Sequence, residues 1–555
     1  MRYTSFLLML VVFGCSLDAE PPPPNEWALI NGAIYTVNAQ QPWAEALHLV
    51  DGEIAWVGTT AEVQARASDQ AEVLDLNGAM VMPGLHDVHT HPLEARSPFS
   101  GTCLLDSDEG DAEQFIAVLR NCAPNQIGSD WVLGSGHSVF TLLEADRPPV
   151  EILDEAIPDR PAAIMEETSH SVWVNSKALE ATRLYTADDP PGGVIVRDPA
   201  TDAPTGVLFD AAGDLVFDSA WPPSPEVRDL NYDGLLEALA ELNAHGITSV
   251  AEGRTYWRRD FQEAWLRAEA EGTLTVRARL SLGAYPSQPD ATQLPALRAL
   301  YRNDPNALVR ISEIKVYADG ILINTTAAML EPYLKTLGDI PSQVGLNYFD
   351  QDRLTTYIRE LAPLGFDVHI HAIGDRGVRE ALNAIEAGQQ PGQRHRLTHL
   401  EVVHADDYPR FAQLDVTADM QVAGDFAQPE HWSENAPLIG DRAMPLIPLR
   451  DLHEAGARIT LSSDWDVSDL NPFLGMQRAL TRAPQHLPAL ADAIAAYTIN
   501  AAYALRQEDR VGSLEVGKRA DLIVLDRNLF ETPIGDLAAT RVTLTMLDGQ
   551  IVYED

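Results

Sequence analysis

Two histidines two residues apart, His89 and His91, close the run PGLHDVHTH. On a β-strand, residues i and i+2 project from one face, so both imidazoles can reach the same cation. Three further groups follow downstream. His369-Ile370-His371 runs into Ala-Ile-Gly-Asp375, His399 sits on the next apolar run, and Asp464 closes Ser462-Ser463-Asp464. Imidazole and carboxylate ligands together suit a divalent transition metal, zinc first, with manganese, iron or nickel as substitutes. Water on such an ion loses its proton near neutral pH and becomes a nucleophile beside a polarised carbonyl. Any one of these residues alone is unremarkable, because buried histidines and capping aspartates are common; the combination points to metal-assisted hydrolysis. His86 has the opposite parity from His89 and His91 and reads as structural.

Something must hold these residues together. Four times an amphipathic helical pattern ends on glycine and feeds an apolar strand, at Gly246, Gly272, Gly365 and Gly456. Glycine there reads as a left-handed helix stop. Leu235, Leu236, Leu239 and Leu242 form the apolar stripe of the first unit. Repeated helix–Gly–strand units imply parallel strands with crossover helices. Counting all such runs gives eight strands, near 85–91, 247–252, 276–282, 311–318, 366–371, 396–401, 415–421 and 457–464. Eight favour a closed (β/α)8 barrel, whose sites lie at the carboxyl ends of its strands, where the residues above fall. The competing doubly wound sheet lacks a glycine-rich phosphate turn after any early strand.

Residues 92–230 exceed one βα loop and read as an inserted lid or subdomain, with strands expected at 131–135 and 162–167. Residues 25–82 and 506–555 are strand-and-turn in style, with turns at Asn31-Gly32, Asp51-Gly52, Asn77-Gly78 and Asp548-Gly549. Each end alone leaves an apolar face uncovered, so together they are expected to build one small β-sandwich. The barrel then occupies 83–505.

The 555 residues are 45% hydrophobic and 22% charged, as in a soluble globular protein. A formal net charge of −43 argues against nucleic acid or an anionic membrane surface as partner. Arg2, the apolar run 6–13 and Gly14-Cys15 read as an export signal resembling a bacterial lipobox, followed by a proline-rich tether to residue 24. That makes Cys15 a lipidation site, and the protein a periplasmic or cell-surface lipoprotein touching a membrane only through its anchor. Ordinary cleaved secretion and a merely apolar N-terminus are the alternatives. Cys103 and Cys122 could pair in an oxidising compartment, a question spacing alone leaves open. Lysine is scarce: Lys177, Lys315, Lys335 and Lys518 are the complete set, and Lys315 lies inside a predicted barrel strand.

PGLHDVHTH, HAIGD, the histidine on the following strand, the aspartate closing strand eight and the terminal GSLEVGKRADLIVLD together resemble the amidohydrolase superfamily. SHSVWVNSKALE (169–180), DPPGGVIV (189–196), IKVYADG (314–320) and HAIGDRG (371–377) are similar to the subgroup that includes N-substituted formamide deformylases. The likeness covers nearly the whole chain after residue 27. It implies an enzyme with two divalent ions that cleaves a non-peptide C–N bond. His89, His91 and Asp464 would serve the first ion and His371 and His399 the second, with Lys315 bridging them as a carbamate. An unmodified ammonium has no lone pair to offer a cation. Asp464 would also move protons between water and leaving group. His170 on the insertion is the candidate oxyanion donor, and Asp375 the residue expected to orient His371 or a neighbouring ligand. The chain departs from the subgroup at SSDWD and MQVAGDF, which puts Trp465 and Asp466 forward as substrate-selecting residues for a small molecule. A homodimer is compatible with the resemblance. Two other readings are a single-metal deaminase, which normally uses a glutamate after the fifth-strand histidine that HAIGD does not supply, and a surface lipoprotein that binds without catalysis.

Overall fold

A computed structural model describes residues 25–337 and 342–555. The segment carrying Cys15, on which the lipobox expectation rests, lies outside the described residues. Eight parallel strands form the central sheet: β1 (Leu85–Thr90), β2 (Ile247–Thr255), β3 (Arg277–Gly283), β4 (Val309–Tyr317), β5 (Asp367–Ala372), β6 (Arg396–His399), β7 (Thr417–Met420) and β8 (Arg458–Leu461). Neighbours in sequence are neighbours in space. The sheet closes at its carboxyl end, where Asp464 N–H donates to the His89 carbonyl (2.8 Å) and His91 N–H to that of Trp465 (2.6 Å). The Asp87 carboxylate takes the Ser463 hydroxyl across the same seam (2.5 Å).

The helices arise as the local sequence dictates. Pro225–Ala244 starts on Ser224, whose side chain accepts from Val227 N–H, with proline in the first turn. It buries Leu235, Leu239 and Leu242, while Leu236 packs at the margin. The four glycine stops all have positive φ, between 71° and 95°. Strands six and eight are shorter than the apolar runs suggested. Positive φ at His399 (75°), Leu400 (55°) and Asp464 (54°) turns the chain out of extended geometry at those points.

The barrel interior is polar where aliphatic layers are commonest. Glu313 accepts from Ser281 (2.6 Å) and Arg396 (2.7 Å), and Asp367 binds Arg279 (2.6 Å) and Arg506 (2.5 Å). Glu313, Asp367 and Arg279 are fully buried. Leaving such a charge unpaired would cost several kcal/mol, so the network must form as a set.

The insertion after β1 contains a six-stranded mixed sheet in the order Gly193–Arg197, Pro204–Asp210, Ser171–Val174, Ala162–Glu166, Val132–His137, Cys103–Leu104. Phe115, Leu119, Ile152, Trp173 and Phe209 belong to its own apolar core. Cys103 and Cys122 form a disulfide within it, with Cα atoms 5.3 Å apart.

The two chain ends share a β-sandwich. One sheet is N-terminal (Glu26–Ile30, Ala46–Val50, Glu53–Gly58, Glu72–Asp75). The other mixes both ends, pairing Met80–Pro83 with Leu522–Leu525, which in turn pairs with Val542–Leu547. Leu29, Leu47 and Ile54 of the first sheet meet Val81, Leu522 and Met546 of the second. No helix among the described residues is long and apolar enough to cross a membrane.

Candidate active site

The ends of β1, β4 and β8 bring three ligand-type atoms and the Lys315 amine into one space. His89 Nε2 lies 3.2 Å from His91 Nε2, 3.3 Å from Asp464 Oδ1 and 3.1 Å from Lys315 Nζ, while His91 Nε2 is 3.0 Å from Asp464 Oδ1. Donors about 2.0–2.1 Å from a tetrahedral transition metal stand roughly 3.3 Å apart, so this spacing fits such an ion. His371 and His399 stand beside the cluster, their rings 4.4 Å apart, and His399 Nδ1 is 3.9 Å from Asp464 Oδ2.

The hydrogen bonds behind the rings select their tautomers. Thr398 Oγ1 donates to Asp419 Oδ2 (2.8 Å) and lies 2.8 Å from His89 Nδ1, which also faces His369 Nε2 (3.2 Å); a proton on His89 Nδ1 would leave the Nε2 lone pair facing the cluster. Asp419 also takes the hydroxyls of Thr460 and Ser462. His371 Nε2–H points to the Gly320 carbonyl (3.1 Å), leaving the Nδ1 lone pair unprotonated. His91 Nδ1 faces Glu94 (3.4 Å) and Glu252 (3.8 Å).

The electrostatics follow from burial and from these neighbours. Burial, reinforced by Lys315 and the adjacent histidines, holds His89 well below the usual imidazole range, and burial pushes His399 down to about 3. Both are thus neutral, the form that ligates metals. Burial opposes a charge on His91, but the hydrogen bond to Asp464, with Glu252 and Glu94 near, raises it to about 9. Asp464 stays far below the carboxylate range despite burial, chiefly because of that same bond to His91. Burial pushes Lys315 down to about 7.

His170 enters from the insertion, its ring 5.1 Å from that of His371. Its Nδ1 lies 2.6 Å from Asp210 Oδ1. A carboxylate only accepts, so the proton is on Nδ1, and Nε2 can donate to an oxyanion only when His170 is the imidazolium.

Two expected roles are not met. Asp375 does not reach His371; its Oδ1 caps Leu330 N–H (2.7 Å), because the helix Asp375–Gly388 starts there and faces the 320s loop. Trp465 does not line the cavity. It is buried with Arg96 5.2 Å over its ring, since the seam bond through its carbonyl turns the side chain away. Asp466 does line the cavity, at the side of Asp464.

Other residues of the site carry no role read from the sequence. Tyr317 stacks 4.6 Å from His371 and its hydroxyl accepts from Arg254 (3.0 Å), which also binds Glu94 (2.7 Å). His369 lies under His89, with Nδ1 accepting from Arg396 (2.9 Å). A signal for them exists: Glu313, Lys315 and Tyr317 on β4, and Asp367, His369 and His371 on β5, share parity.

Beyond the cluster opens a cavity of about 630 Å³, walled by Phe99, Phe217, Leu322 and Phe426 among others and reaching His371, His399 and Asp464. Phe426 comes from the divergent run after β7. Glu401, two residues past His399, also lines it; burial, with Asp319 near, pushes its carboxyl up to about 8.

The chain is 28% identical over 549 residues to the N-substituted formamide deformylase of Arthrobacter pascens, covering 95% of this chain and 98% of that one. It is also 28% identical over 580 residues to the Arabidopsis thaliana protein LONG AFTER FAR-RED 3, covering 98% and 94%. The crystal structure of an uncharacterized metal-dependent hydrolase from Pyrococcus furiosus superposes with a TM-score of 0.70 at 25% identity, over 91% of this chain and 99% of that one. Residues 72–553 match the family described as the amidohydrolase family, and the chain is a member of it.

Proposed function

We propose that this enzyme hydrolyses a non-peptide C–N bond, of amide, N-acyl or N-formyl type, in a small molecule held in the cavity above β1, β4 and β8. The convergence of His91, Lys315 and Asp464 atoms within 3.3 Å of His89 Nε2 carries this reading. The likeness to a formamide deformylase supports the bond type. Two divalent ions, zinc first, would acidify water and polarise the carbonyl there. His89, His91 and Asp464 would hold one and His371 and His399 the other. Lys315 would add an oxygen ligand if it became a carbamate; its lowered pKa favours the neutral amine that adds CO2 with loss of a proton. Asp464 Oδ accepts the proton of the attacking water and returns it to the departing nitrogen. The imidazolium of His170, paired with Asp210, donates Nε2–H to the oxyanion. Export fits the same picture, since a Cys103–Cys122 disulfide suits an oxidising compartment; a lipid on Cys15 would then anchor the enzyme to a bacterial membrane.

Elemental analysis of protein purified with bicarbonate and without chelators tests the centre. About two ions per chain are expected, falling to one or fewer in Lys315→Ala. Asp464→Ala should lower kcat for N-formyl amines by at least about 10³-fold, the scale of removing an acid–base group and a ligand together. Metal-free protein after zinc supplementation, or undiminished turnover in Asp464→Ala, would overturn the reading.

A further inference from the structure

A second, smaller recess adjoins the ligand cluster. It shares Arg254 and Tyr317 with the chamber around the cluster, whereas the large cavity shares His371, His399 and Asp464 with that chamber; His170 borders all three. The recess holds about 40 Å³, against about 630 Å³ for the cavity. One water needs about 10–15 Å³ of such space, so roughly three non-hydrogen atoms fill the recess. Phe217 from the insertion and Tyr256, Tyr285 and Tyr317 from the barrel wall it. These walls are held in place: Phe99 packs on Phe217 (4.9 Å between rings) and on Tyr256 (5.6 Å), and Trp257 stands 6.0 Å from Tyr285. Gly283, the last residue of β3, lines the recess without a side chain. A Cβ built there would meet only the Thr255 carbonyl oxygen (3.7 Å) and Tyr285 Cζ (3.9 Å) within 4 Å, both at ordinary contact distance. A side chain at this position would therefore take up the recess without a clash.

A carbonyl carbon bears three substituents, and the proposed reaction gives a direction to two of them. The oxygen turns to His170, which donates to it, and the departing nitrogen to Asp464, which returns its proton. Asp464 lines the large cavity and the chamber but not the recess. The amine therefore extends into the cavity, and the third substituent points past Tyr317 into the recess. From this we infer that the recess is an acyl subsite whose depth is set by Gly283. The enzyme cleaves N-acyl amines whose acyl group runs from formyl to butanoyl, accepts a much larger amine, and rejects benzoyl and long-chain acyl groups. A phenyl ring brings six carbons to a space for about three, and packed rings do not yield without strain. Water adds to the carbonyl carbon, the C–N bond breaks, the acyl group leaves as a short carboxylic acid and the nitrogen takes the proton. The inference rests on the hydrolase reading for the direction of the bond, and on the two volumes for what each side admits.

The test uses the metal-loaded full-length enzyme, as wild type, Gly283→Ala and Gly283→Val, with two substrate series. In one, benzylamine carries a formyl, acetyl or benzoyl group; in the other, formyl sits on benzylamine or on the larger naphthylmethylamine. Ratios of kcat/KM within a series are compared between wild type and variant, so the intrinsic reactivity of each amide cancels. In the wild type the benzoyl compound should fall at least about 100-fold below the acetyl compound. Gly283→Val should lower the acetyl-to-formyl ratio at least about tenfold, and Gly283→Ala should lower it by less, while the naphthylmethyl-to-benzyl ratio stays within about twofold. Calorimetry adds a readout without turnover. Benzylacetone and dihydrochalcone match the acetyl and benzoyl amides but have no C–N bond to cleave, and the first should bind at least about tenfold tighter. Benzoyl turnover within about tenfold of acetyl, an unchanged acetyl-to-formyl ratio in Gly283→Val, or a shift in the amine series instead, overturns the inference. The expected binding order with no hydrolysis of any amide supports the recess while removing the catalytic reading. Hydrolysis with no preference among acyl groups does the reverse.

Discussion

Gly253 on β2 offers a sharp test of how the first histidine pair is held. Its φ is ordinary, so alanine there meets no backbone penalty, only neighbours. An added Cβ would lie 2.7 Å from His89 Cδ2 and 2.9 Å from His91 Cε1. To regain van der Waals contact near 3.4 Å the two rings must retreat by roughly 0.5–0.7 Å. Metal–ligand distances tolerate only about 0.2 Å, and His89 cannot tilt without breaking its bond to Thr398. Gly253→Ala should therefore weaken metal binding by about 10- to 100-fold, the scale seen when ligand-orienting contacts are lost. Overpacking the buried site should also remove about 1–3 kcal/mol of stability. Chelator-competition titration reads the first and urea unfolding of metal-free protein the second. Gly535→Ala is the control, since nothing lies within 4 Å of its added Cβ. Metal affinity within twofold of wild type in Gly253→Ala would refute the proposed placement of the ligand rings.

Two further expectations concern stability. His86 is fully buried with neither ring nitrogen partnered, and burial, with Arg277 and Lys518 adding, pushes it down to about 3. Unfolded, it takes up a proton near pH 6.5, so below that pH the unfolded chain gains a proton that the folded chain refuses. His86 thus withdraws about 1.4 kcal/mol per pH unit as pH falls from 6.5 towards 3. His86→Leu should gain on wild type by that slope in urea unfolding between pH 6.5 and 5, and a constant difference across the range would contradict it. The disulfide closes a loop of sequence separation 19, so Cys103→Ser with Cys122→Ser should cost about 3 kcal/mol. An unshifted urea midpoint would show that the bridge does not constrain the unfolded chain.

The barrel was legible because its signals are local and repeated: a helical stripe, a glycine with positive φ, an apolar run. His89, His91 and His371 were legible because strand parity is local too. His399 and Asp464 were found by residue type, but their orientation was not predictable. Thr398 already faces the interior, so simple alternation would send His399 outward, and a left-handed backbone at residues 399 and 400 re-aims it. Trp465 misled for the same reason, since a seam hydrogen bond decides where that turn points. Glu94 and Arg254, 160 residues apart in sequence, carry no local signal of the pair the fold makes of them. In the insertion, the two strands expected near 131–135 and 162–167 were the longer apolar runs. Ser171–Val174 and Pro204–Asp210 are bordered by turn-rich sequence and gain their strand character from pairing with each other.

The pairing of Met80–Pro83 with Leu522–Leu525 has a consequence for assembly. Gly84, the link from the sandwich into β1, also donates its N–H to the Asp521 carbonyl (3.0 Å). The strand that carries His89 and His91 is therefore moored by residues more than 430 positions later in the chain. During synthesis the first ligand pair exists long before its mooring does, and a contact of such sequence separation forms late. A nascent chain stopped short of residue 520 would hold every proposed ligand yet lack the anchor that sets the first two. An ion that needed this pair in register would therefore be held only once the polypeptide was complete.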